Sequence, residues 1–194
     1  GMAKIARGVR YVTTRGYPIP TTTKPIIWLG NGYLGPVPVP TILMLVIVLG
    51  GTFVLSKTAF GNRVRAIGGN ELAARLSGID VKATKTAVYV LAASLSAIAG
   101  IVMVGRVNAG NPNSGLNFDM DSIAAAIIGG TSLAGGSGTI TGTLLGALML
   151  GVISNGLVLL NVNMYWQTIV AGAIILVVCI IDVLSRSGRR GDAA

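Results

Sequence analysis

Apolar residues run along this chain in long uncharged blocks, separated by short polar stretches rich in bases. Val37 to Ser56, "VPVPTILMLVIVLGGTFVLS", carries no charge, and neither does Thr86 to Gly105, "TAVYVLAASLSAIAGIVMVG". Each matches the about 20 apolar residues that a helix needs to cross hydrocarbon. Between Asp121 and Asp182, residues 122–181 hold no Asp, Glu, Lys or Arg. Glycine-rich and polar breaks near 129–138 and 161–167 divide that stretch. The pattern predicts membrane-spanning helices over 37–56, 86–106, 138–160 and 165–184, and a short helix at 121–130. The short one falls well below a full crossing and reads as a half-helix or re-entrant element, which a bilayer tolerates only where protein or water covers the backbone. Around these lie a helix end at 1–15, an external loop at 16–36, a cytoplasmic segment at 57–85, an external loop at 107–120 and a cytoplasmic tail at 185–194. The expected fold is all-α: a polytopic transmembrane helical bundle, one domain over 1–194.

Composition supports the class. Of 194 residues, 52% are hydrophobic and 11% charged, where a soluble domain carries roughly a quarter charged residues. Fifteen bases against six acids give a net charge of +9. The bases cluster beside the apolar blocks, so they are read through the positive-inside rule and not as a nucleic-acid footprint. Lys57, Arg63, Arg65, Arg75, Lys82 and Lys85 place 57–85 in the cytoplasm; Arg186, Arg189 and Arg190 place the tail there. The 107–120 loop has no base and is expected outside. Lys4, Arg7, Arg10 and Arg15 fit this scheme poorly, because they fall on the external side. The lone Cys179 sits in an apolar run, where it is expected to pack. Histidine is absent, which removes Ser-His-Asp triads, HExxH zinc sites and histidine-ligated haem. No catalytic residue, metal site or bound cofactor is expected on this chain.

One polar island interrupts the apolar sequence: "GGNELAARLSGI", 68–79. Asn70 suits a helix N-cap. Glu71 lies at the positive end of the dipole and four residues before Arg75, the favoured order for an ion pair. Gly78 suits a left-handed helix end. Leu72, Leu76 and Ile79 line one apolar edge. A helix of about seven residues, about 10 Å long, does not stand alone in water. Two readings stand on these residues: an amphipathic element on lipid headgroups, and a helix whose apolar edge docks in a groove of a cytoplasmic partner.

The glycine-rich segment "GGTSLAGGSGTITG", 129–142, is not a nucleotide loop. A P-loop needs Gly-x4-Gly-Lys-Ser/Thr, and no lysine lies between 86 and 194; after Gly136 and Gly138, position 141 is threonine, so GxGxxG fails too. Gly138, Gly142 and Gly146 recur every four residues and are expected to let helices approach closely. Gly129, Gly130, Gly135 and Gly136 suit a tight non-helical turn. Polar side chains in the apolar run that could meet a substrate are Thr131, Ser132 and Asn155, with Thr139, Thr143 and Ser154 beside them. Their alternative role is helix–helix or local backbone hydrogen bonding. The segment 17–40 holds six of the seven prolines and bears aromatic residues, as either a contact surface or a connector.

"AIGGNELAARLSGIDV" at 66–81, followed by "AAAIIGGTSLAGGSGTITGTLLGALMLGVISNGLVLL" at 124–160, resembles the permease subunit of ribose- and xylose-type ABC sugar importers, over nearly the whole chain. The resemblance implies that Asn70, Glu71, Leu72, Arg75, Leu76 and Gly78 form the coupling helix that docks on a separate ATP-binding subunit, which hydrolyses ATP. It further implies import of a monosaccharide delivered by a soluble binding protein, a pore of two permease copies, alike or different, and a place in the bacterial cytoplasmic membrane among lipids. Permeases of that family are longer, so the chain corresponds to their C-terminal part. The second class of function is a non-transporting membrane scaffold or an inactive fragment of such a permease.

Overall fold

The computed structural model describes residues 2–116, 118–163, 165–170, 172–174, 176, 177 and 180. Among them, three helices are long and apolar enough to cross a membrane: α3 (Val39–Lys57), α6 (Val81–Val107) and α8 (Ile140–Leu159). The fold is that of a polytopic helical membrane protein. The helix expected at 165–184 is described only in part, and the tail at 185–194 and Cys179 lie outside the described residues. The chain divides into two compact units, residues 1–49 with 85–116 and residues 50–84 with 117–194.

The first unit carries α1 (Met2–Thr14), β1 (Ile19–Pro20), α2 (Lys24–Asn31), β2 (Tyr33–Leu34), β3 (Val37–Pro38) and β4 (Ala109–Gly110). The segment 16–36, expected as a loop, holds helix α2. Pro25 sits at its start, where the missing N–H costs nothing and the fixed φ favours the turn. β2 and β3 form a hairpin across Gly35 and Pro36. β1 pairs antiparallel with β4, Ile19 opposite Gly110, and Thr21 N–H donates to the Asn108 carbonyl at 2.9 Å. The Tyr11 hydroxyl donates to Asn113 Oδ1 at 2.6 Å. Segments 17–21 and 107–113 therefore share one end of this unit, with the end of α1 beside them.

Gly30 and Gly105 bring α2 against the end of α6. A Cβ on Gly30 would overlap the Gly105–Arg106 backbone, and one on Gly105 would overlap the Ile26 carbonyl oxygen. Asn31 Nδ2 then reaches the Gly105 carbonyl at 2.9 Å, satisfying a helix-terminal acceptor that has no partner within the helix.

The second unit holds the end of α3, then α4 (Ala59–Gly69), α5 (Glu71–Leu76), α7 (Phe118–Ile128) and α8. Much of the polar 57–85 segment is thus helical. Thr58 ends α3 and starts α4: its hydroxyl donates to the Val54 carbonyl at 2.6 Å and accepts from Gly61 N–H at 3.3 Å. α6 begins at Val81, ahead of the apolar block at 86, because Asp80 Oδ1 caps it by accepting from Ala83 N–H at 3.0 Å. Apolar content marks only the portion suited to hydrocarbon, so the capped first turn with Lys82 and Lys85 escaped it.

α7 and α8 form an antiparallel pair. A Cβ on Gly146 would overlap the Ala125 carbonyl oxygen and lie 2.9 Å from Gly129 N; one on Gly142 would overlap the Gly129 carbonyl oxygen. The two contacts, 125 with 146 and 129 with 142, keep a constant residue sum, which fixes the antiparallel register. Ala124, Ala125 and Ile127 are buried on α7. Gly138 departs from the expected face: Thr139 caps α8, accepting from Gly142 N–H at 3.1 Å, so the helix starts at Ile140. Gly138 lies in the loop against the Thr131 side chain.

Candidate functional site

Two places in the second unit carry the chemistry-bearing residues. The first is α5. Asn70 ends α4 and starts α5 at once: its N–H donates to the Ala66 carbonyl at 3.0 Å, while its Oδ1 accepts from Ala73 N–H at 3.0 Å. The joint is fixed from both sides. Glu71 lies in the first turn and Arg75 in the last, the placement that suits the helix dipole. The other end is closed by hydrogen bonds from Gly78 N–H to the Arg75 carbonyl, 3.1 Å, and from Ile79 N–H to the Ala74 carbonyl, 3.1 Å. Gly78 has φ +82°, the left-handed conformation such an ending requires. Two residues later Asp80 caps α6. The helix proper is six residues, about one turn and a half between the expected cap at Asn70 and the expected end at Gly78.

Burial orients α5. Ala74 is only 4% exposed, whereas Leu72 and Leu76 are 68% and 81% exposed. At roughly 100° per residue, Ala74 lies some 160–200° around the helix from the two leucines. α5 thus rests on its alanine face and turns its leucines away from the chain, with Ile79 half-buried at the end of that edge.

The second place is the glycine-rich loop 129–139 and the pocket beside it, about 300 Å³, lined in part by Leu55, Val64, Arg65, Thr131, Thr139 and Thr143. Its walls are mainly apolar. Two of its hydroxyls are engaged locally: Thr139 Oγ1 in the α8 cap, and Thr143 Oγ1 donating to the Thr139 carbonyl at 3.1 Å. Thr131 Oγ1 lies 3.4 Å from Thr143 Oγ1. Ser132 is buried, and its hydroxyl has no hydrogen-bond partner among the described residues. Arg65 is half-buried at the rim.

Asn155 is not part of this place. It is exposed on α8, and twelve residues separate it from Thr143, about 18 Å along the helix. Thr131 and Ser132 adjoin one end of α8, and Asn155 stands far along it. Arg65, Thr139 and Thr143 were not singled out together from the sequence. The only available signal was that Arg65 stands on the base-rich segment next to the polar island; its proximity to residues 131–143 is a tertiary fact.

A family profile described as branched-chain amino acid transport system / permease component matches residues 1–179. The xylose transport system permease protein XylH of Escherichia coli (strain K12) is 47% identical over 156 residues, 80% of this chain and 39% of that protein. The ribose import permease protein RbsC of the same strain is 43% identical over 185 residues, 93% of this chain and 58% of that protein. RbsC of Bacillus subtilis (strain 168) is 43% identical over 180 residues, 92% of this chain and 56% of that protein. The chain thus spans about half the length of the curated relatives it matches. No solved structure matches it.

Proposed function

The chain belongs to the branched-chain amino acid transport system / permease component family, and from that membership we propose that it forms part of the translocation path of an ATP-driven importer for a monosaccharide of the ribose or xylose type. A sugar is favoured as cargo because relatives named for xylose and ribose share 43–47% of matched residues with it. The subunit performs no catalysis of its own and needs no cofactor. It sits in the bacterial cytoplasmic membrane, pairs with a second permease copy, and receives sugar from a soluble binding protein on the side of segments 16–36 and 107–120. ATP is hydrolysed on a separate subunit on the side of 57–85.

The observation that carries this reading is the outward leucine edge of α5. Leu72 and Leu76 are largely exposed on a six-residue helix fixed by Asn70 at one end and Gly78 at the other. A helix this short is stabilised only by what holds it, and an uncovered apolar edge suits a groove in another protein. Asn70, Glu71, Leu72, Arg75, Leu76 and Gly78 are therefore assigned to coupling with the ATP-binding subunit. Thr131 and Ser132 contact the sugar path near one end of α8, and Asn155 contacts it further along. Gly142 and Gly146 maintain the helix packing behind it, with Gly138 shaping the loop.

Reconstitution tests the proposal. The complete permease is co-expressed with an ATP-binding subunit and a binding protein, and the complex is placed in proteoliposomes. Uptake of labelled ribose or xylose that requires both ATP and the sugar-loaded binding protein is the expected result. A permease that inserts and folds but retains no ATPase and moves no sugar is a scaffold, and the reading fails.

A further inference from the structure

The glycine-rich loop is joined backbone to backbone to the turn that leads into α5. Gly68 stands in the last turn of α4, two residues before Asn70. A Cβ built on Gly68 would overlap Gly136 N and lie 3.1 Å from Gly136 Cα. One on Gly135 would lie 2.7 Å from the Gly68 carbonyl oxygen, and one on Gly136 would lie 2.9 Å from Gly69 Cα. Gly135 and Gly136 also hold φ of +92° and +82°, where a side chain adds strain. Gly69, adjacent to the same contact, is different: a Cβ there would meet nothing within 4 Å. The demand for glycine follows the contact and is not a general property of this helix end.

The loop that makes the contact is braced. Ser132 N–H donates to the Ser137 carbonyl at 3.0 Å, and Gly135 N–H donates to the Ser132 carbonyl at 3.1 Å. Its entry is closed by Thr131 N–H on the Ala126 carbonyl, 2.9 Å, and its exit by the Thr139 cap of α8. Beyond it lie the close contacts of Gly129 with Gly142 and of Ala125 with Gly146. A continuous series of stiff pieces therefore runs from α5 through Asn70 and Gly68 to the 132–137 loop and the α7–α8 pair. Where side chains meet, rotamer changes absorb a small displacement; where backbones touch directly, no such slack exists.

We infer that Gly68, Gly135 and Gly136 are positioning residues that pass displacement of α5 to the α7–α8 pair, so that this contact ties the ATPase cycle to the sugar path. The inference rests on α5 being the docking helix. Gly68→Ala and Gly136→Ala, made in the complete permease and assembled with its ATPase, break the contact while leaving the leucine edge intact. Gly69→Ala is the control. The readout is the ratio of sugar taken up to ATP hydrolysed. The two contact variants keep the ATPase bound and its basal hydrolysis, yet that ratio falls by about tenfold; Gly69→Ala leaves it unchanged. A purely structural role lowers complex yield and both rates together, which leaves the ratio unmoved and overturns the inference. Should the variants not fold, hydrogen exchange on the wild-type complex decides. Trapping the ATPase with a non-hydrolysable nucleotide changes protection at residues 70–78 and at 132–137 together. A change at 70–78 alone overturns the inference, and no change at 70–78 overturns the docking reading beneath it.

Discussion

Substitution of Leu76 tests the proposed docking of α5 on an ATP-binding subunit. Leu76 is 81% exposed and points away from the buried Ala74, so nearly its whole side chain is free for the proposed partner to cover. Full burial of a leucine is worth about 1.5–3 kcal/mol, and truncation to alanine removes most of that. Leu76→Ala is expected to weaken ATPase binding by about 5- to 30-fold, at 1.4 kcal/mol per factor of ten. Leu76→Asp also forces a carboxylate into an apolar groove, at a cost of several kcal/mol when unpaired, so its loss reaches about three orders of magnitude. Neither change disturbs the packing of the unit, since the side chain touches little of it. The assay is the affinity of the purified ATP-binding subunit for the complete permease in nanodiscs, with permease melting temperature and membrane abundance recorded in parallel. Normal abundance with graded loss of affinity, Ala then Asp, is the expected pattern. Wild-type affinity in Leu76→Asp refutes the reasoning and leaves α5 as a helix resting on headgroups.

Other outcomes follow from the same geometry. Gly146→Leu drives a side chain into the Ala125 carbonyl and is expected to cost at least about 1–3 kcal/mol by overpacking, read as a lowered melting temperature of the purified protein; Leu148→Ile, at an exposed site, should shift it little. Asn70→Ala removes the bond to Ala73 N–H and should cost about 1 kcal/mol of helix stability, seen as faster hydrogen exchange across 71–76 in the free permease. Gly78→Val places a β-branched residue at φ +82°, costs about 1–2 kcal/mol and should weaken ATPase binding without touching either leucine. In a Cys179→Ser background, an impermeant thiol reagent applied to intact cells should label Asn113→Cys and spare Ala73→Cys; the reverse pattern inverts the assigned topology.

The long helices and the local punctuation were legible because their causes are local. An uncharged run of about 20 residues marks α3 and α8 within a few positions. A cap, an acid, a base and a glycine at fixed offsets mark α5 within a residue or two. What local pattern missed was structure with short-range causes of another kind. The prolines and glycines around α2 read as loop, although Pro25 at its start favours the helix. The first turn of α6 does not register as apolar because Lys82 and Lys85 interrupt it, although Asp80 caps it. Four-residue spacing puts Gly138 in phase with the face of α8, yet Thr139 caps the helix after it. Periodicity cannot tell a helical glycine from a loop glycine that happens to be in phase.

The polar candidates illustrate a deeper limit. Thr131, Ser132 and Asn155 are alike in being hydrogen-bonding side chains within apolar sequence, and that likeness alone makes them candidates for a substrate path. In the fold, Thr131 meets Thr143 across the α7–α8 turn, Ser132 is buried in the loop between them, and Asn155 lies roughly 18 Å along α8 from Thr143. Chemical type places a residue in a class; only the register of α7 against α8 decides which members of the class meet. That register is set by glycines, and glycines in a chain with 28 of them carry little information singly. Gly68 and Gly69 are neighbours of identical type on the same helix end. A Cβ on Gly68 would run into Gly136, whereas a Cβ on Gly69 would meet open space. Nothing in the sequence separates them, because the difference lies entirely in a loop more than sixty residues away. The same fact makes the pair a clean experiment: alanine at either site brings a similar gain in helix propensity over glycine, so a difference between the two variants reports the contact itself.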